Sequence, residues 1–400
     1  MLFIPYYILA ALQIYFSFRS LLGGISYLNY FKHELAKPSA DKTPFATIFV
    51  PCRGLDQGML ENLDALLNQD YPEYEIVFIV DDENDEAKNV IEAAWREAQR
   101  PVKFVVAPKA TDSSQKVTNL REGIQYADEA AEIFVFADSD ARPSKLWLRA
   151  LVAPLFDENV GATTGYRWFI SKRPSFASEM RNMWNASIAS SLGPDRKSNF
   201  CWGGATAMRR DVFERLDLHS RWQGTVSDDF MVMRVLREAG LEIHFVPESL
   251  TPSVEDCSLH HFLEFTTRQM KLTRVYASNL WAMSFMGAGL FLTVMITSIL
   301  IAILRSTNDL PVAVALFTLI AVTLLGVGKS WLRLKAVRLV LTDYDRELRR
   351  QIFPQLTLWT ITPAVFFYNC LAGLFSRRLT WRGTTYEMVS PEETRVLEKR

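Results

Sequence analysis

Long uncharged runs near both ends of the chain enclose a middle in which short apolar runs alternate with helical spacing. Leu2 to Phe18 carries no charged side chain, and with Arg19 to Leu22 it reaches the roughly 20 residues that a bilayer-spanning helix needs. No basic cluster precedes this run and no small-residue cleavage pattern follows it, so residues 1–22 are expected to be a retained anchor, not a signal peptide. A second apolar region covers Trp281 to Leu304 and Leu310 to Val327, where Arg305 and Asp309 are the only charged side chains. Two spans, 281–304 and 310–328, joined by so short a loop predict a helical hairpin. Lys329, Arg333, Lys335 and Arg338 then interleave with Trp331, Leu332, Leu334, Val337 and Leu339, so 329–353 reads as an amphipathic segment at the interface or a solvated linker helix. Residues 356–375, interrupted by Pro363, either span or re-enter, and 376–400 read as a polar tail. Lys32 and Lys37 follow the first span while no Lys or Arg precedes it, which places the intervening domain, residues 40–275, on the cytoplasmic side of a multi-pass membrane protein.

Within that domain the period changes. Thr47 to Val50, Glu75 to Val80, Val102 to Val106 and Ile133 to Ala137 are short runs rich in β-branched residues, as buried parallel strands require. Met59, Leu60, Leu63, Leu66 and Leu67 recur at helical spacing between the first two, and Asn89 to Gln99 and Lys116 to Ala127 supply two further helices. Strand alternating with helix predicts a doubly wound α/β sheet.

Composition refines this picture in two places. The chain is 49% hydrophobic with a net charge of −1, an average that conceals its division into apolar spans and a charged domain. With no clustered basic excess, nucleic acid is excluded as a partner. The 4 cysteines and 5 histidines form neither a CxxC pair nor a zinc-type spacing, as expected for a reduced chain.

In doubly wound sheets ligands bind beyond the carboxyl ends of the strands. Cys52, Arg53 and Gly54 follow the first strand, Asp81, Asp82 and Asp85 the second, and Asp138, Ser139 and Asp140 the fourth. Asp138 and Asp140 are either hard ligands for Mg²⁺ or Mn²⁺ or the caps of a strand-end turn. A phosphatase of the haloacid dehalogenase type would need Thr or Val where Arg142 stands. Ser227-Asp228-Asp229 opens an apolar helical run; one acid there serves as a cap, and the second is free to accept a proton from an alcohol. Arg268, Lys271 and Arg274 share one helical face, suited to lipid headgroups or to the charge on a departing diphosphate.

Taken in order, these clusters resemble family 2 glycosyltransferases of the GT-A fold and, more closely, the ceramide glucosyltransferase group, family 21. The residues that carry the resemblance are Pro51 to Asp56, Gln69 to Glu75, Asp82, Lys116 to Leu120, Asp138-Ser139-Asp140, Cys201 to Arg210, Ser227-Asp228-Asp229, and Trp381-Arg382-Gly383 with Tyr386. It implies an inverting, metal-dependent transferase that moves a hexose from a nucleotide-sugar, UDP-glucose or a similar UDP-hexose, to a lipid acceptor. The nucleotide-sugar would meet Asp82, with Asp81 and Asp85 as alternatives, together with Arg53, Lys116 and Asp138. Asp138 and Asp140 would hold Mg²⁺ or Mn²⁺, Asp229 would be the catalytic base with Asp228 as the catalytic carboxylate beside it, and Arg268, Lys271 and Arg274 would meet the leaving group. The family's Q/R-x-x-R-W element is altered here to Arg268-Gln269-Met270-Lys271-Leu272, which trades a planar guanidinium for an ammonium and loses the stacking ring. Two further readings follow from the same letters: a polysaccharide synthase, and a catalytically silent sugar-nucleotide-binding membrane scaffold.

Overall fold

A computed structural model describes residues 3–37, 42–98, 100–305 and 309–399. Position 40 and Gln99, each at the edge of an expected segment, lie outside the described residues. The chain divides into two compact units, one of residues 33–173, 192–256 and 376–400, the other of residues 1–32, 174–191 and 257–375.

The first unit is built on a seven-stranded sheet. Its strands are β1 (Ala46–Pro51), β2 (Tyr74–Val80), β3 (Val102–Val106), β4 (Ile133–Ala137), β5 (Val160–Ile170), β6 (Ala205–Arg209) and β7 (Glu242–Val254), in the order β3-β2-β1-β4-β6-β5-β7. β1, β2, β3 and β4 pair in parallel, β6 runs antiparallel to both β4 and β5, and β5 pairs in parallel with β7. The doubly wound α/β sheet expected from the strand–helix alternation is therefore present. Every residue of β2 and β4 is buried, as strands covered on both faces must be. Phe49 lies edge-on to Phe134 and stacks with Phe136, and Phe213 and Trp222 close the same aromatic cluster.

Helices α2 (Met59–Leu67), α3 (Ala87–Glu97), α4 (Gln115–Ile124) and α5 (Trp147–Val152) connect the earlier strands; α7 (Arg210–Arg215), α8 (Leu218–Arg221) and α9 (Asp228–Glu238) lie between β6 and β7. The Ser114 hydroxyl caps α4 by accepting the Val117 N–H at 3.2 Å, which fixes where Lys116 leaves the helix. Residues 376–400, expected to be a polar tail, form a three-stranded antiparallel sheet in this unit: β8 (Arg378–Trp381), β9 (Thr384–Ser390) and β10 (Glu393–Lys399). Leu379, Tyr386 and Met388 are buried at alternate positions, a short period-2 pattern that the flanking charges obscure in the sequence.

The second unit is helical. Its elements are α1 (Ile4–Leu35, of which the last residues enter the sheet unit), α6 (Phe176–Ala189), α10 (Leu259–Tyr276), α11 (Ser278–Leu304), α12 (Leu310–Val337), α13 (Asp345–Arg350), α14 (Ile352–Thr357) and α15 (Thr362–Phe375). α1, α11 and α12 are each long and apolar enough to cross a membrane. α1 runs past residue 22 because Tyr27, Leu28 and Phe31 continue its buried face, and α12 runs past residue 328 with Ser330, Arg333 and Leu334 buried. Tyr6 and Ala10 pack with Val294, Ile301, Val312 and Ala315, and the Tyr6 hydroxyl meets Ser298 Oγ at 2.8 Å. Ile352–Thr360 and Thr362–Phe375 form a pair bent by 56°, a broken span or a re-entrant loop. Pro363 sits in the first turn of α15, where its missing N–H leaves no helical bond unmade.

Candidate active site

Pairing in the order β2-β1-β4 aligns the carboxyl ends of three parallel strands. The loops leaving them carry Arg53, Asp81 and Asp138-Ser139-Asp140. The antiparallel pair Ala137↔Ala205 brings Gly203 and Gly204, just before β6, to the same edge. A Cβ on Gly203 would lie 2.4 Å from Asp228 Oδ2, and one on Gly204 would lie 2.7 Å from Asp138 Oδ2. Only glycine lets the backbone approach both carboxylates this closely.

Two cations organise the acids. Lys116 Nζ reaches Asp138 Oδ1 at 2.8 Å and Asp228 Oδ1 at 3.3 Å. Arg167, late in β5, reaches Asp138 Oδ2 at 2.7 Å and Asp140 Oδ2 at 3.1 Å, and its guanidinium lies 4.7 Å from the centre of the Trp202 ring. Burial pushes the Asp138 carboxyl up, but Lys116 and Arg167 outweigh it and hold the group below the usual carboxylate range. Burial also pushes Asp228 up, to about 6; repulsion from Asp229 and Asp138 adds to this and Lys116 opposes it. Burial alone would lower Lys116, yet Asp138, Asp228 and Asp229 raise it, so it stays charged.

Asp229 differs from its neighbour. Asp228 is 4% exposed and spent on Lys116, whereas Asp229, in the first turn of α9, is half-buried. Its Oδ1 accepts from the Ser227 hydroxyl and from the Phe230 N–H at 2.8 Å, and its Oδ2 accepts from the Gly203 N–H at 3.3 Å.

On the β1–β2 side Asp81 is buried, with Lys109 Nζ at 3.2 Å and Arg53 Nε at 4.0 Å. Asp82 is exposed; the Asn84 N–H, and after it Lys109, lower its carboxyl. Asp85 accepts from the Gly54 N–H at 2.9 Å and the Ala87 N–H at 2.8 Å, so it ties two loops together. Asp56 accepts the Ser139 hydroxyl at 2.6 Å and pairs with Arg382 at 2.5 Å. The small C-terminal sheet is held at several points: Arg53 donates to Thr384 Oγ1 at 3.1 Å, the Gln115 N–H donates to the Tyr386 hydroxyl at 3.1 Å, and Thr394 donates to the Gly224 carbonyl at 2.7 Å.

The sequence model of a family described as glycosyl transferase family 21 matches residues 13–394. The chain belongs to this family. It is a glycosyltransferase, as the order of its acidic clusters implied. Similar solved structures include the mannosyltransferase PcManGT from Pyrobaculum calidifontis in complex with GDP-Man and Mn²⁺, at 18% identity over 92% of this chain and 99% of that one, with a TM-score of 0.47. S. aureus TarS 1-349 in complex with UDP-GlcNAc is similar at 13% identity over 89% of this chain and 99% of that one, with a TM-score of 0.40.

The site of this family 21 transferase is defined by its charge. Two cations, Lys116 and Arg167, face four carboxylates, Asp138, Asp140, Asp228 and Asp229. Asp140 Oδ1 is buried and has no hydrogen-bond partner. Among the described residues no group of three His, Cys, Asp or Glu side chains gathers into a metal cage. Mg²⁺ and Mn²⁺ sites that share their ion with a substrate phosphate use only one or two carboxylates, and Asp138 with Asp140 fits that donor set.

Asp81, Asp82, Asp85, Arg53, Lys116, Asp138, Asp140, Asp228 and Asp229 all belong to the sheet unit. Arg268, Lys271 and Arg274 belong to α10 of the helical unit, where Arg274 donates to the Gly373 and Leu374 carbonyls and burial lowers the Lys271 ammonium. Arg167, Asp56, Arg382 and Tyr386 carry site contacts that strand-end reasoning did not assign. Arg167 had a signal, being the one charged side chain in the 11 residues of β5.

Proposed function

We propose that this family 21 transferase moves a hexose from a UDP-hexose to the hydroxyl of a membrane lipid, with inversion at the anomeric carbon. The observation that carries the reading is the contrast between the paired Asp228 and the half-buried, hydrogen-bonded Asp229. The acceptor oxygen attacks the anomeric carbon while Asp229 takes the hydroxyl proton. The bond from that carbon to the diphosphate oxygen breaks, and its electron pair leaves with UDP.

Arg53 and Arg382 meet the charge released on the diphosphate. Asp81, buried beside Arg53 and Lys109, faces the nucleoside, with Asp82 and Asp85 on the same loop. Mg²⁺ or Mn²⁺ held by Asp138 and Asp140 supplies Lewis-acid stabilisation of the diphosphate when bound. Three helices able to cross a membrane support a lipid acceptor, and Lys32 and Lys37 after the first of them support a cytoplasmic sheet unit. Mass spectrometry of lipid extracts from cells with and without the protein tests the proposal: one lipid class should gain the mass of one hexose. Polymeric product, or no change in any lipid, would overturn it.

A further inference from the structure

Residues 222–227 connect α8 to the first turn of α9, where Asp228 and Asp229 stand. Groups far away in sequence hold this loop inside the sheet unit. The Gly224 carbonyl accepts the Thr394 hydroxyl of β10 at 2.7 Å. The Gly224 N–H donates to Ser113 Oγ at 2.9 Å, and the Thr225 carbonyl accepts the Ser114 N–H at 2.9 Å. Trp222 Nε1 donates to the Asp228 carbonyl at 3.1 Å, so the loop is tied to the helix it leads into. Gly224 has φ +79°, and a Cβ on it would lie 2.1 Å from the Glu392 carbonyl oxygen in the β9–β10 turn, an approach closed to any residue with a side chain.

The same small sheet also reaches the start of α4. The Gln115 N–H, which a first helical residue cannot bond within its own helix, donates to the Tyr386 hydroxyl at 3.1 Å. Lys116 is the next residue. Thr394 pairs with Met388 and Val396 with Tyr386, so Tyr386, Met388 and Thr394 share one buried face of the sheet. That face therefore bonds both helix starts at once. Lys116 on α4 meets Asp228 on α9 at 3.3 Å, so the spacing of those starts decides whether one ammonium serves Asp138 and Asp228 together and leaves Asp229 to the acceptor.

We propose that the C-terminal sheet is a brace that sets the spacing of the α4 and α9 N-termini, with Tyr386 a positioning residue for Lys116 and Thr394 a positioning residue for Asp229. The part these residues play in transfer rests on the reading of Asp229 given above; the brace itself does not.

The test uses the full-length protein in nanodiscs made with a lipid extract of the expressing cells, supplied with UDP-glucose and Mn²⁺. Thr394→Val removes a hydroxyl at nearly constant volume, Tyr386→Phe removes only the acceptor of the Gln115 N–H, and Thr394→Ser restores the donor. Hydrogen–deuterium exchange over residues 222–230 should quicken about tenfold in Thr394→Val, and over residues 112–118 by a similar factor in Tyr386→Phe, with Thr394→Ser near wild type. Thr394→Val should lower UDP release at saturating donor by about tenfold to 10²-fold with half-saturation unchanged, because it displaces the base. Tyr386→Phe, acting through Lys116, should instead raise half-saturation by UDP-glucose, by about tenfold. Unchanged exchange in both variants would overturn the brace. Rate and half-saturation altered alike in both, or no rescue by serine, would overturn the positioning roles and leave the transfer reading intact. A wild-type protein that releases no UDP would overturn the transfer reading, and the exchange measurement would still decide the brace.

Discussion

The Arg382 guanidinium lies 2.5 Å from Asp56 Oδ1, although 326 positions separate the two residues in the chain. Arg382 also donates to the Arg53 carbonyl, and it sits at φ +46° in a two-residue turn with Gly383 at φ +78°. Positive φ at both positions is the geometry of a tight hairpin turn, which ordinarily favours Asn-Gly. An arginine kept there gives up turn stability for a charge beside the acidic loops. Arg382→Asn should therefore preserve the hairpin, seen as unchanged resistance of residues 376–400 to protease. It should nonetheless raise half-saturation by the donor about tenfold, read from steady-state UDP release.

Asp229→Asn keeps the shape of the side chain and removes the proton acceptor. Transfer should fall by about 10² or more. Isothermal titration with UDP and Mn²⁺ should give nearly the wild-type affinity. Retained turnover would remove Asp229 as the base.

Lys116 is the shared partner of Asp138 and Asp228. Lys116→Met leaves two buried carboxylates without their cation, and a broken buried pair costs about 3–5 kcal/mol. Lys116→Arg retains the charge and should lose less. Thermal melts of the two variants in one detergent should rank them in that order.

Glu179 predicts a slope of stability with pH. Burial raises its carboxyl from 4.5 to about 7. Between those values the native state holds a proton that the unfolded state has released, so the contribution is full below pH 4.5 and is lost as pH rises through 7. Melting temperature should thus fall between pH 5 and 8, by on the order of 2 kcal/mol of stability, and Glu179→Gln should flatten that slope.

The parallel half of the sheet was legible because Ile48, Val77, Val135 and their neighbours form continuous apolar runs that only doubly covered strands tolerate. Asp138 and Asp140 were legible for a related reason: their place after such a run fixes the edge they occupy. The contact between Arg167 and those two acids was not, since it depends on β5 returning to the same edge through an antiparallel β6. Nor was the choice between Asp81 and Asp82: adjacent letters leave a strand end in opposite directions, and only the fold shows one buried and the other exposed. The C-terminal sheet was read as a tail because its alternation of Leu379, Tyr386 and Met388 with charged residues is too short to stand out from a polar background.

The path of the chain has a consequence for synthesis. It passes from one unit to the other five times, and residues 376–400, which bring Arg382 and Tyr386 to the acidic loops, follow every apolar helix in the order of translation. A nascent chain therefore displays its carboxylates long before it owns their last cation. For the same reason, no cut that leaves one continuous stretch of sequence yields the sheet unit whole, and trimming the helices away to obtain a soluble enzyme should yield an unfinished one.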